Sequence, residues 1–136
     1  QAVVVGASFE VAAVPVDHLV AAVGLGDRVD QHQHALADAL AGTDAIVVTT
    51  LGPRGARAQR RSEEIGFASA PTVNAIDTVG AGDAFTAAFT VALCEGRDIS
   101  DALAWACAAG ALAATRRGAQ PSLPTRTELD DFMANL

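Results

Sequence analysis

The sequence predicts an α/β domain in which buried, parallel-paired strands come first and apolar helices follow. Continuous apolar or β-branched runs of strand length stand at Ala2 to Val5 and at Ala45 to Thr50, as expected for strands covered on both faces. Between them, Asp30 can cap a helix that runs to Leu40, with Gly42 just past its end. The order strand, helix, strand is the one from which parallel sheets are built.

Composition bounds the size and class of this domain. The chain has 136 residues, 51% of them hydrophobic, which is enough for a single domain with a sizeable core. Its net charge is -7 and all nine basic residues are arginine, which argues against a nucleic-acid partner and leaves no lysine for a Schiff base. Cys94 and Cys107 lie in apolar helical stretches and lack CxxC spacing, so we expect both to be small buried hydrophobic side chains in a reducing compartment, the cytoplasm. The longest uncharged helical run, Ala102 to Ala114, falls short of the roughly 18 residues that a membrane span needs.

Turn residues follow the second predicted strand. The segment Leu51 to Gly55 contains a proline and two glycines, which fix or permit the backbone angles of a tight turn. Short strands are expected after it, at Ala56 to Gln59 and at Val73 to Ile76.

Two long apolar helices are predicted next. The first runs from Gly82 to near Gly96, and the second from Asp98 or Ser100 to near Gly118. Both are apolar nearly all round, so we expect both inside the fold, against the sheet and each other.

A shorter, amphipathic helix closes the chain. Thr125 and Glu128 have the spacing of a capping box and open a helix that runs to Leu136. At the other end, Gln1 is not an initiator methionine and a strand begins at once, so we expect a fragment or a processed product.

A small-residue turn at a helix start carries most of the chemical information. It lies in Asp77 to Phe85 (DTVGAGDAF), between a predicted strand and an apolar helix. The first turn of a helix presents unpaired backbone N–H groups and about half a positive charge. Gly80, Ala81 and Gly82 would let a phosphate approach those groups closely, which predicts a phosphate site.

A single carboxylate accompanies this turn. Asp83 is the only charged side chain between Asp77 and Glu95, and the helix start stabilises its ionised form. In phosphoryl transfer, a carboxylate beside a phosphate site can remove the proton of the acceptor hydroxyl. The alternative is that Asp83 only caps the helix and the glycines only form a tight turn.

Two segments together resemble a known family. Pro71 to Phe85 (PTVNAIDTVGAGDAF) and Ala111 to Pro124 (ALAATRRGAQPSLP) closely resemble the ribokinase branch of the PfkB carbohydrate kinases. In that resemblance the DTxGAGDxF element is specific to the superfamily, and the TRxGAQxSxP element is typical of ribokinases. The likeness covers the chain from Ala45 to Leu136 well and the preceding residues only loosely.

The resemblance implies a ribokinase-like, three-layer α/β/α fold, which is Rossmann-like, and an ATP-dependent sugar kinase that uses Mg²⁺. Such an enzyme transfers the γ-phosphate of ATP to a primary hydroxyl of a pentose or related sugar. By the same resemblance Asp83 is the general base, and the helix start from Gly80 to Asp83 is the anion hole. Residues expected along the nucleotide are Thr50, Gly52, Gly55, Gly82 and, near the adenine, Cys107.

The resemblance also implies a monovalent cation, K⁺, beside the anion hole. Such an ion would order the loop that supplies the anion-hole donors without touching substrate, and a hard cation requires oxygen ligands. The alternative is a polar loop over a helix end. The matching positions are the Asp77 side chain, the carbonyls of Val79, Ala113, Arg116 and Gly118, and the Ser122 hydroxyl.

Departures from the family pattern leave other functions open. The amino-terminal half of a ribokinase, with its sugar pocket and lid, has no counterpart here, so we expect a partial domain. Gly6 to Phe9 and Val20 to Gly24 stand where the family has polar motifs. A non-catalytic nucleotide-binding fragment, or a subunit completed by a homodimer partner or by a missing half, is therefore the main alternative. A dinucleotide-binding oxidoreductase is disfavoured, because Phe85 stands where that fingerprint needs a small residue.

Overall fold

The computed structural model describes residues 44–136 in full and, before them, only the backbone of three strands. These strands are β1 (Ala2–Val5), β2 (Val11–Val14) and β3 (Val20–Gly24). The strand expected at Ala2 to Val5 is therefore confirmed. The helix predicted from Asp30 to Leu40 and the Gly6 to Phe9 segment lie outside the described residues.

The main sheet has the strand order β3, β4, β5, β6. In it, β4 spans Ile46–Thr50, β5 spans Ala56–Arg60 and β6 spans Glu63–Ala68. β3 and β4 are parallel, whereas β5 and β6 continue the sheet antiparallel. Parallel pairing is thus present, but the expected partner was wrong, since β1 pairs antiparallel with β2. The true partner, β3, is rich in alanine and ends in glycine, which are weak strand formers.

One predicted strand is absent from the described sheet. The expectation at Ala56 to Gln59 is confirmed by β5, but Val73 to Ile76 is not a strand. The backbone N–H groups of Ile76 and Asp77 instead donate to the carbonyl oxygen of Ala114, at 2.8 and 3.1 Å. Hydrogen bonds to the last turn of a helix therefore fix Ile76 and Asp77 in place of pairing with a strand.

Three of the four predicted helices lie within residues 44–136, and these three are confirmed in type and place. They are α1 (Ala81–Cys94), α2 (Ile99–Ala114) and α3 (Arg126–Ala134). α2 is the interior helix, since ten of its sixteen residues are buried, and it packs against α1 and the sheet. The expectation that α1 is equally enclosed was wrong, because Gly82, Ala87 and Val91 on its outer face are exposed. Small residues on that face let it contact water at little cost.

Side-chain caps fix the starts of α2 and α3. Asp98 caps α2 by accepting a hydrogen bond from the backbone N–H of Asp101 at 2.8 Å. The predicted capping box of α3 is present, with Thr125 and Glu128 bonding each other's backbone N–H groups. Within the described residues, no helix is both long and apolar enough to cross a lipid bilayer.

The core lies between α2, α1 and one face of the sheet. β4 is buried on both faces, with Val48 toward the helices and Val47 and Thr49 on the opposite side. Alanines from β5 and α2 fill much of the space, so the helix and sheet approach closely. This packing places the start of α1 against the middle of α2.

Candidate active site

The entrance of α1 is an open helix start. Gly80 is the residue before the first helical turn, with a φ of 88°, and no side chain caps the helix. Ala81 and Ala84 donate their N–H groups to Thr78 and Gly80. Among the described residues, the N–H groups of Gly82 and Asp83 have no acceptor. Two unpaired donors at the positive end of a helix form a site suited to an anion.

The space beside these donors is open. A Cβ placed on Gly82 would meet no atom within 4 Å, so a ligand can approach the backbone there. Gly80 is enclosed instead, because a Cβ on it would lie 2.8 Å from the Ala119 carbonyl oxygen and 2.9 Å from the Ser122 hydroxyl. Gly80 thus seats the turn against the protein, while Gly82 faces outward.

Asp83 is the third residue of α1 and its side chain is exposed. It makes no cap hydrogen bond and no ion pair with any residue in the fully described part of the chain. The interpretation in which Asp83 merely caps the helix is therefore wrong. Within residues 44–136 the carboxylate has no partner and lies next to two N–H groups without acceptors, an arrangement in which it can accept a proton from a bound hydroxyl.

Asp77 ties the turn before α1 to the loop after α2. Its carboxylate accepts from the N–H of Val79 at 3.0 Å and from the N–H of Gly118 at 2.9 Å. The hydrogen bond from Gly118, followed by that from Val79, lowers the pKa of the Asp77 carboxyl below its ordinary value. The group therefore stays ionised and holds both segments together.

Ser122 makes a second connection between the same two segments. It is fully buried on a short 3₁₀ helix, Gln120–Ser122. Its hydroxyl donates to the Ala119 carbonyl at 2.7 Å and lies 3.5 Å from the Val79 carbonyl oxygen. The structure thus brings together four residues of the expected cation set: Asp77, Val79, Gly118 and Ser122.

The other two members of that set lie at the end of α2. The Ala113 carbonyl accepts from the N–H groups of Thr115 and Arg116 and so closes the last turn of the helix. The Arg116 side chain points away from the loop toward α3, where it contacts Glu128. No cluster of three or more His, Cys, Asp or Glu side chains that could hold a metal occurs among the described residues.

The expected nucleotide loop joins β4 to β5. Leu51 donates its N–H to the Gly55 carbonyl at 2.7 Å, across a 3₁₀ turn at Gly52–Arg54. Gly52 is exposed and a Cβ on it would meet nothing within 4 Å, whereas a Cβ on Gly55 would overlap the Ala68 carbonyl oxygen. Thr50, the last residue of β4, is half-buried at the start of this loop.

Cys107 lies beneath this loop, inside the core. The expectation of burial is confirmed for Cys107 and was wrong for Cys94, which is exposed at the end of α1. The Cys107 thiol contacts the Ala68 carbonyl, 3.7 Å away, the same carbonyl against which Gly55 packs. Burial raises the pKa of the Cys107 thiol to about 11, so the group is neutral at physiological pH. The thiol therefore packs as a small apolar group behind Gly55.

One residue that the sequence reasoning missed connects the two candidate sites. Gly110, one turn after Cys107 on α2, lies against the start of α1, since a Cβ on it would be 3.1 Å from the Ala81 carbonyl oxygen. A rise of about 1.5 Å per residue separates Gly110 from Cys107 by about 4.5 Å along the helix. The nucleotide loop and the open helix start thus pack on consecutive turns of α2. The available signal was a single glycine in an alanine-rich helix.

The chain is similar in sequence to a family of known proteins. A family profile described as pfkB family carbohydrate kinase matches residues 11–126. The chain is 42% identical over 99 residues to ribokinase of Bacillus subtilis, which covers 73% of this chain and 33% of that protein. It is 39% identical over 97 residues to fructokinase of Vibrio alginolyticus, covering 65% of this chain and 31% of the relative. The chain therefore spans about a third of the length of these curated relatives.

Solved structures of ribokinases are also similar. Ribokinase of Thermotoga maritima matches 85% of this chain and 42% of its own, with a TM-score of 0.69 and 29% identity. Ribokinase of Arabidopsis thaliana, in complex with ribose and ATP, matches 84% of this chain and 40% of its own, with a TM-score of 0.70 and 29% identity. A structure of an Escherichia coli protein described as a ribokinase II, in complex with ATP and Mg²⁺, has a TM-score of 0.73 and 27% identity. The match covers 86% of this chain and 39% of that protein. The fold is thus a partial ribokinase fold of the α/β class.

Proposed function

The chain belongs to the pfkB family of carbohydrate kinases, and we propose that it forms the nucleotide-binding and proton-abstracting part of an ATP-dependent sugar kinase. The observation that carries this proposal is the open start of α1. There, an exposed carboxylate without a partner among the described residues adjoins two N–H groups that lack acceptors. A helix start built only for stability would use these groups in a cap.

The proposed reaction uses these groups in two roles. The Asp83 carboxylate accepts the proton of a primary hydroxyl of the sugar while that oxygen forms a bond to the γ-phosphorus of ATP. The bond between this phosphorus and the oxygen bridging to the β-phosphate breaks, and ADP leaves. The N–H groups of Gly82 and Asp83, in the turn from Gly80, donate to oxygens of the transferring phosphoryl group and stabilise their charge.

ATP is proposed to lie along the loop between β4 and β5. Gly52 leaves its backbone open to a phosphate, Gly55 fixes the turn and Thr50 offers a hydroxyl at its start. Cys107 would then back the loop below the adenine side without itself donating to the base. Mg²⁺, when bound with ATP, would neutralise charge on the phosphates, as in other phosphoryl-transfer sites.

A K⁺ ion is proposed at the junction of the α1 turn and the loop after α2. The donors suit a hard monovalent cation, because each is an oxygen and Asp77 supplies a negative charge. Each Asp77 oxygen accepts one N–H and keeps a further lone pair for an ion. The residues that would hold it are Asp77, Val79, Ala113, Arg116, Gly118 and Ser122.

The acceptor is proposed to be a pentose or related sugar. Ribokinases, fructokinases and a deoxyribokinase are among the relatives, and the Arabidopsis structure contains ribose. Because the chain spans about a third of its curated relatives, we propose that residues beyond this chain supply the sugar pocket and the lid. A nucleotide-binding subunit without catalysis is the second candidate, favoured by this limited coverage.

A matched pair of variants tests the general base. We expect Asp83→Asn in the full-length protein to lower kcat by about 10² to 10⁴, the usual loss when a general base is removed. The control is Asp101→Asn, since Asp101 is likewise exposed and is the third residue of α2. Steady-state kinase assays with ATP and ribose compare the two variants. Equal activity of Asp83→Asn and wild type would contradict the proposal.

A further inference from the structure

The loop after α2 is fastened to α3 by an ion pair. Arg116 follows Thr115, the residue that closes α2, and its Nη2 donates to Oε1 of Glu128 at 2.8 Å. The two residues are twelve apart in sequence, and their side chains are 34% and 42% exposed. The contact therefore joins the loop after α2 to α3, unlike an ion pair within a single helix.

The acceptor of this ion pair is itself held in place. The second carboxylate oxygen of Glu128, Oε2, accepts from the N–H of Thr125 at 2.7 Å and from its hydroxyl at 3.0 Å. The Glu128 N–H in turn donates to the Thr125 hydroxyl at 3.3 Å. A carboxylate fixed by a capping box gives Arg116 a fixed anchor, and less side-chain entropy is lost when the pair forms.

The anchored loop leads directly to the start of α1. Two residues beyond Arg116, the Gly118 N–H donates to Asp77, which also accepts from Val79 in the turn before α1. On the same loop, Ala119 and Ser122 form the surface on which Gly80 packs. Among the described residues, the contacts that position this turn from outside α1 thus come from this loop, from the end of α2 and from Gly110 in the middle of α2.

On these contacts we infer that Arg116 is a positioning residue for the phosphoryl-transfer site, acting through Glu128 and the loop rather than by contact with substrate. This inference rests on the proposed function. By holding the loop on α3, the pair sets the distance between Gly118 and Asp77. It thereby sets the placement of the N–H groups of Gly82 and Asp83, which lack acceptors in the part of the chain that the structure describes. It also sets the spacing of the oxygen donors proposed for K⁺.

A simpler role in stability would have different consequences. An exposed ion pair contributes little to folding, so its loss alone would leave kinetic constants unchanged. Misplacement of a loop near the reacting atoms lowers kcat and changes the response to the ion, even where the fold persists. Catalysis and K⁺ activation therefore distinguish positioning from stability.

The test uses Arg116→Met, which removes the charge but keeps much of the side-chain length. In the full-length protein we expect kcat to fall about tenfold and the K⁺ concentration for half-activation to rise, as for residues that orient metal ligands. Arg116→Lys, which can still pair with Glu128, should restore most of both values. ADP affinity by calorimetry, with and without K⁺, gives a readout independent of turnover. The increase in ADP affinity that K⁺ causes should be smaller in Arg116→Met than in the wild type.

A double-mutant cycle tests whether the action passes through Glu128. Glu128→Gln should lower kcat in the same direction, and adding Arg116→Met to it should cause no further loss. The control is Asp130→Asn, which breaks the Arg126–Asp130 pair on the same helix, with side chains 50% and 47% exposed. It should leave kcat and K⁺ activation unchanged. Additive losses would overturn the positioning role, because Arg116 would then act by another route.

Folding is checked with the fluorescence of Trp105, the single tryptophan of the chain, during thermal unfolding. If Arg116→Met does not fold, Arg116→Lys and Glu128→Gln decide the matter by the same two kinetic constants. If the wild type is active and a folded Arg116→Met variant has unchanged kcat and K⁺ activation, this inference alone is overturned. A wild type without sugar kinase activity would overturn the proposed function, and this inference with it.

Discussion

Two aspartates of this chain occupy the same position in neighbouring helices and have different surroundings. Asp101 is the third residue of α2, and its N–H is used by the capping side chain of Asp98. Asp83 is the third residue of α1, where Gly80 precedes the helix and no side chain caps it. The start of α2 is thus capped by its own chain, whereas the start of α1 is left available to a ligand. This contrast at the residue scale is the physical basis for assigning chemistry to Asp83.

Two glycines of the loop between β4 and β5 also differ in their surroundings: one packs against the protein and the other leaves its backbone accessible. Gly55 has a φ of 106° and its backbone touches Ala68, while Gly52 has a φ of 58° and open space around it. A side chain at position 55 would therefore be both strained and in collision. At position 52 it would only be strained.

The predicted consequence is a large difference between two alanine variants. We expect Gly55→Ala to reduce the free energy of unfolding by about 3 kcal/mol, from backbone strain plus the collision with Ala68. Gly52→Ala should cost only about 1 kcal/mol, the penalty of a left-handed backbone for a residue with a Cβ. Chemical denaturation of the full-length protein measures both. Equal losses would show that the loop relaxes around Gly55.

At the element scale, α2 is the support on which the candidate site is assembled. Its middle carries Cys107 behind the nucleotide loop and Gly110 against the start of α1. Its last carbonyl, that of Ala114, accepts the N–H groups of Ile76 and Asp77. One buried helix therefore fixes the nucleotide loop, the anion-binding turn and the segment that leads into it.

The start of α3 has a pH dependence that follows from its capping box. Hydrogen bonds from Arg116 and then from Thr125 lower the pKa of Glu128 to about 2 in the folded protein, from an ordinary value of 4.5. Because the folded-state pKa is the lower one, the stabilisation is complete above about pH 4.5. It is lost as the pH falls from there toward 2.

This dependence predicts the behaviour of Glu128→Gln. The variant should melt below wild type at pH 7, and the difference in Tm should shrink as the pH is lowered through 4 and 3. Taking the difference between the two proteins removes the contribution of other carboxylates, including Asp77. Circular dichroism melts at several pH values measure it. A difference in Tm independent of pH would contradict the role of the ionised Glu128.

Across the whole chain, the described residues bring the proposed phosphate site and the proposed base together, and the chain spans about a third of the length of the curated relatives. The nucleotide loop, the open helix start and the candidate K⁺ donors all pack on α2 or on the loop that follows it. We propose that the sugar pocket and the lid are supplied by residues beyond this chain. We therefore expect this chain to bind nucleotide without phosphorylating a sugar.

We predict that the 136-residue chain by itself binds ADP but does not phosphorylate ribose. Calorimetric titration with ADP and a coupled kinase assay on the same preparation check both statements. Asp83→Asn serves as the control, since it should bind ADP as wild type does. Turnover by the isolated chain would show that the sugar site lies within these residues, and lack of ADP binding would contradict the nucleotide assignment.

The sequence alone determined the features that depend on neighbouring residues. The three described helices and the capping box of Thr125 and Glu128 follow from local hydrogen bonding and periodicity. The sequence left the start of α2 open between Asp98 and Ser100, and the structure shows that Asp98 caps it. The turn at Gly80 and the helix start after it were also predicted from local features, namely small residues before an apolar helix, and the role of this turn as a phosphate site stays a prediction.

Other features depend on residues far apart in the chain, and they could be seen only in the folded protein. β6 was missed because Glu63, Glu64 and Gly66 interrupt apolar alternation, and it forms only by pairing with β5. The bond from Gly118 to Asp77 spans 41 residues, and the Arg116 side chain finds its partner on another helix. Local preference cannot specify such contacts, because they form only when packing against α2 brings the segments together.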